Sequence, residues 1–159
     1  MGAKSEELAK RFEAKSREAL TTLQRLTDAD WTKVTEAERW SVGVTAHHLA
    51  SVLEPISAMV RAVAAGQAPG DLRMEMIDAM NARHAQESAG CTRAETIELH
   101  RQGSETAAAA IRGLSDAELA TAGTLFRDLP PMTAEQVIAA ALLAHIDEHF
   151  GSIRKTVGH

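Results

Sequence analysis

A chain of 159 residues, 45% of them hydrophobic, is long enough to bury one core without staples and short enough to be a single domain spanning 1–159. Aromatic residues make up only 3% and Tyr is absent, so the composition argues against a sheet protein and for an all-α fold. A formal charge of -5 with interspersed signs excludes the basic stripe that nucleic acid requires, and the lone Cys91 excludes an internal disulfide.

The amino-terminal stretch MGAKSEELAK is charged where a signal peptide needs an apolar region, which predicts a cytoplasmic location. The longest apolar run, Val137 to Ala144, falls well short of the ~20 residues that cross a bilayer, so no membrane partner is expected.

In chain order, Leu8, Phe12, Ala19, Leu20, Leu23 and Leu26 recur at helical spacing and predict a first helix from Ser5 to Leu26. A polar turn, Thr27 to Asp30, ends it. Thr35 and Glu38 have the form of a capping box, Ser41 can cap the next helix, and Trp31 and Trp40 are read as staples for this connection. The second helix then runs from Ser41 to Gly66 on the stripe Leu49, Val52, Leu53, Ile56, Val60 and Val63, and QAPG stops it. A third, Leu72 to Ser88, places Ile77, Met80, Asn81 and His84 on one side until Gly90 interrupts. Thr92 and Glu95 cap a fourth, to about Gly113, so that helices three and four read as one broken rod. Ser115 and Glu118 start a minor turn. Pro130 and Pro131 forbid helix before Thr133, which with Gln136 opens a last helix reaching Thr156. The sum is a four-helix bundle with a broken third segment and a long connection from Leu114 to Met132.

The histidines are the informative residues. On the last helix Ile138, Ala141, Leu142, His145, His149 and Ile153 follow steps of three and four, which puts both imidazoles in the apolar stripe, one turn apart. On the second helix His48 lies four before Val52 and eight before Ile56, also inward, while His47 is turned about 100° away toward Ser51 and Glu54. Three inward imidazoles need partners, and the residues alone leave two readings open: a shared metal, or a polar bundle core. His84 and His100 are read as satisfied core residues and His159 as a solvated tail. Cys91 reads as a packed thiol, and Met74, Met76 and Met80 as fillers of core gaps.

The segments WSVGVTAHHLA and LAHIDEHFGSIRK, with IDAMNARHAQESAG and IRGLSDAEL between them, resemble the DinB/YfiT-like superfamily, in particular members related to mycothiol-dependent maleylpyruvate isomerases. The resemblance covers almost the whole chain. It implies a four-helix bundle with uncommon connections and a divalent metal held by His48, His145 and His149. Members of the superfamily include thiol-dependent S-transferases, isomerases and metal-dependent hydrolases, so membership does not choose a substrate.

Three neutral imidazoles would leave the charge of a divalent ion uncompensated and a coordination position open, which is a catalytic rather than a structural pattern. Zinc, nickel and iron all accept such ligands, and either water or a low-molecular-weight thiol such as mycothiol or bacillithiol could serve as nucleophile. Asn81, Asp78 and Glu148 are the candidates for contacts behind the ligands or with substrate, whereas Asp147 points largely away. The expectation is a metal-dependent thiol S-transferase or hydrolase acting on a small electrophile. The alternative is a non-enzymatic metal- or ligand-binding bundle in stress response or detoxification. A homodimer is expected because Leu143, Ile146, Phe150 and Val157 lie beside the histidine stripe as a second apolar face.

Overall fold

A computed structural model describes residues 2–158, so the reading of His159 as a solvated tail falls outside it. The chain folds as an all-α protein. Its helices are α1 (Ala3–Arg25), the short α2 (Asp28–Trp31), α3 (Val42–Ala64), α4 (Met74–Glu87), α5 (Arg93–Arg112), the short α6 (Asp116–Ala120), and a last rod. That rod opens as α7 (Ala134–Val137), widens into a π-helical stretch over Ile138–Ala144, and continues as α8 (His145–Val157).

The capping signals act largely as their chemistry dictates. Ser41, Thr92, Ser115 and Thr133 each accept a hydrogen bond from the backbone N–H three residues on, and the last three form full capping boxes. The pair Thr35 and Glu38 does not, because no helix follows it. The N–H of Thr35 is donated instead to the carbonyl of Trp40 at 2.8 Å, and the turn returns the chain to Ser41.

Helices α3 and α5 form the closest pair in the bundle. Gly103 allows it: a Cβ there would lie 2.9 Å from Cβ of Leu53 and 3.3 Å from the Ala50 carbonyl oxygen. One buried cluster joins Phe12, Leu53, Val60, Ile111, Ile138 and Leu142, and a second joins Leu23, Leu49, Ile146, Phe150 and Ile153. Leu143, Ile146 and Phe150 are therefore buried within the chain's own bundle, at 4%, 1% and 1% exposure, so that of the apolar face expected to seat another copy only Val157 is partly exposed.

The third segment is broken: α4 ends at Glu87, and a turn through Ser88 to Cys91 precedes Thr92, which starts α5. Helix α4 buries no residue fully, and Met74, Met76 and Met80 are exposed at 51%, 41% and 64% rather than filling core gaps. The long connection carries a two-residue antiparallel ribbon, β1 (Ala122–Gly123) with β2 (Met132–Thr133), and drops Leu119 and Leu125 into the core.

Among the described residues no helix is long and apolar enough to cross a membrane.

Candidate metal centre

Helices α3 and α8 face each other across the second buried cluster, and this packing brings His48, His145 and His149 together. One ligand atom from each lies within 4.8 Å of those of the other two. The ring centroids are 5.5 Å apart for His48 and His145, 5.0 Å for His48 and His149, and 4.6 Å for His145 and His149. Inward phase on the two helices accounts for the meeting: the i, i+4 pair stands side by side on α8 and His48 closes the third corner.

Each ring is held differently. The Nδ1 of His145 lies 3.2 Å from the carbonyl oxygen of Ala141. A carbonyl only accepts, so Nδ1 carries the proton and the Nε2 lone pair is free. The Nδ1 of His149 lies 3.4 Å from Oε1 of Glu38. His48 is 4% exposed, and its Nδ1 has no hydrogen-bond partner. The ring of Trp40 lies against it, with centroids 5.2 Å apart.

Burial pushes the imidazole of His48 down to about 3, with the neighbouring His149, His145, His84 and His47 adding to the effect. Burial likewise lowers His145 to about 4, reinforced by His149 and opposed in part by the Ala141 carbonyl. Both rings are neutral at pH 7, the form that ligates a metal. Three converging imidazoles, two of them held neutral by burial and one carrying an orphaned buried nitrogen, are a donor set that a divalent ion would satisfy.

The other residues singled out from sequence sort by exposure. Asn81 is half-buried on α4, one turn before His84, while Asp78, Asp147 and Glu148 are exposed and Asp147 pairs with Lys15 across the bundle. His100 is fully buried, and its Nε2 lies 3.1 Å from the Ser16 hydroxyl while its buried Nδ1 has no partner, so it is a core histidine only half satisfied. His84 is more than that. Its Nε2 lies 2.8 Å from Nδ1 of His47, and its ring centroid is 5.8 Å from that of His48. His47, on the face of α3 that also carries Ser51 and Glu54, is therefore engaged with α4. Five imidazoles thus form one continuous cluster over α3, α4 and α8.

Glu38 is the residue that sequence reasoning missed. Its side chain is 9% exposed, and it accepts a hydrogen bond from Ser152 at 2.8 Å as well as facing His149. The signal available, a Thr and a Glu three apart, named the carboxylate as a helix cap and so concealed a contact 111 positions away.

Comparison with protein families now bears on this geometry. The family model of the DinB superfamily matches residues 11–153, and the chain belongs to that superfamily. No curated protein and no solved structure matches the chain.

Proposed function

We propose that this protein is a metal-dependent enzyme that uses His48, His145 and His149 to hold a divalent ion and acts on a small electrophile, as a thiol S-transferase or a hydrolase. The observation that carries the reading is the donor set: three converging imidazoles and no carboxylate among the ligands. A divalent ion bound by them keeps its full charge and an open position, where it supplies a water or thiol nucleophile at neutral pH.

The chain's own residues do the rest. Burial keeps His48 and His145 unprotonated, and Trp40 walls off one side of His48 from water. On the α4 side His84 adjoins His47 and His48, and Asn81, one turn before His84, is the candidate for a substrate contact. Zinc, nickel and iron fit the all-nitrogen set, and mycothiol or bacillithiol fits the role of thiol co-substrate.

The experiment is a rate measurement on metal-loaded protein, with and without a low-molecular-weight thiol, against an electrophile panel of epoxides, activated aryl halides and esters. Thiol-dependent turnover that disappears in His145→Ala supports the transferase reading. Turnover without thiol supports the hydrolase. Stoichiometric metal with no turnover on any member favours the non-enzymatic metal-binding bundle.

A further inference from the structure

The turn between α2 and α3 is built more tightly than a connection requires. Val34 and Ser41 pair as an isolated antiparallel bridge, and the carbonyl of Trp40 accepts both the N–H of Thr35 at 2.8 Å and its hydroxyl at 3.2 Å. Thr35 is fully buried. Arg39, inside this turn, has φ of 63°, and it is the one non-glycine residue in the left-handed region among those described. A side chain is disfavoured there, and such backbone persists where surrounding contacts over-determine it. The residues on either side show what the conformation achieves. Glu38 reaches His149 and Trp40 packs on His48, so one turn contacts two corners of the three-histidine cluster.

A carboxylate as enclosed as that of Glu38 must be paired, and its partners are the Ser152 hydroxyl on Oε2 and the His149 ring on Oε1. An ionised carboxylate only accepts, so the ring nitrogen facing it carries the proton. We infer that Glu38 is a positioning residue of the centre, holding the proton of His149 on Nδ1 and so keeping Nε2 as the free ligand atom, with the Arg39 turn fixing the carboxylate in place. This rests on the reading of the cluster as a metal centre. It adds a residue from outside the histidine helices, with no part in the chemistry except through the ring that it orients. A histidine held by a carboxylate is a stronger ligand, and loss of such a partner typically weakens metal binding about 10- to 100-fold.

The test has two readouts on Glu38→Ala and Glu38→Gln. In metal-free protein, nitrogen-15 NMR of the imidazoles reports the tautomer of His149: the proton sits on Nδ1 in wild type, and a mixture is expected in Glu38→Ala. In competition with a chromophoric chelator, zinc binding is expected to weaken about 10- to 100-fold in Glu38→Ala and only several-fold in Glu38→Gln, whose amide oxygen still accepts. Zinc affinity within about two-fold of wild type in Glu38→Ala would overturn the inference, as would a wild-type proton on Nε2. Should Glu38→Ala fail to fold, the wild-type tautomer and the Glu38→Gln affinity decide alone. A wild type that takes no zinc would sink the metal centre while the tautomer still judges Glu38.

Discussion

The imidazole of His145 bonds through Nδ1 to the carbonyl of Ala141, one turn earlier on the same rod. The backbone N–H of His145 goes elsewhere, to the Leu142 carbonyl three residues back, at the end of the π-helical stretch. In a regular α-helix the same N–H would take the i−4 oxygen, which the ring would then share, as the Ser41 carbonyl is shared by the N–H and hydroxyl of Thr45. The widened turn therefore changes the helical rotation between α7 and the segment that carries His145 and His149.

Removing one residue from the widened stretch should restore α-helical register and turn the rest of the rod by about 100° relative to His145 and His149. Ala140 is the residue to delete, since it is exposed and loses no core contact. The shortened protein should retain its far-ultraviolet helicity and lose zinc binding in a calorimetric titration. Wild-type affinity would show that the π stretch has no bearing on the centre.

His84→Ala should loosen α4 without emptying the centre. No residue of α4 is fully buried, so its bond to His47 is a main polar tie to the bundle. Amide hydrogen exchange over residues 74–87 should accelerate by about an order of magnitude or more, as expected when a marginally packed element loses one good hydrogen bond. Protection of α3 and α8 should be unchanged. Equal protection of α4 in both proteins would mean that the histidine pair does not anchor it.

Acid should destabilise the fold through its buried histidines, and His100 isolates one of them away from the centre. Burial lowers it from 6.5 to about 4. The unfolded chain therefore binds the extra proton first: stability is full above the unfolded value and is lost as pH falls through the window down to about 4. His100→Gln should cost some stability at pH 7 and flatten the acid limb by up to about 1.4 kcal/mol per pH unit inside that window. Denaturant midpoints across the pH range check it, and parallel limbs in the two proteins would contradict it.

Gly103→Ala should destabilise by about 1 to 3 kcal/mol, the usual cost of forcing an extra methyl into a packed contact. The new Cβ would meet the Leu53 Cβ at 2.9 Å, and neither is the flexible end of a side chain, so α3 and α5 must move apart. Urea unfolding measures the change. A variant as stable as wild type would mean that the helices slide at no cost.

Periodicity and capping chemistry made the helices and three corners of the centre legible in the sequence. Ser41, Thr92 and Thr133 start helices where their hydroxyls can take an orphan N–H, and the phases of His48, His145 and His149 relative to buried leucines and isoleucines point all three inward. What stayed hidden depended on distant partners or on departures from the regular turn. Nothing in Ile138 to Ala144 distinguishes π from α hydrogen bonding, and the apolar character of Met74, Met76 and Met80 does not tell that α4 leaves them exposed. Glu38 was hidden because its local pattern had a ready local explanation, and His47 because its phase on α3 says nothing about α4 lying over it.

The most direct test of the account is the metal content of protein purified without an affinity tag, compared with His48→Ala, His145→Ala and His149→Ala, each checked for native helicity. The account predicts near-stoichiometric divalent metal in the wild type after incubation with zinc, nickel or iron salts, and loss of it in all three variants. A folded wild type that takes up none of these metals, or variants that retain it, would contradict the claim that the three histidines form a metal centre.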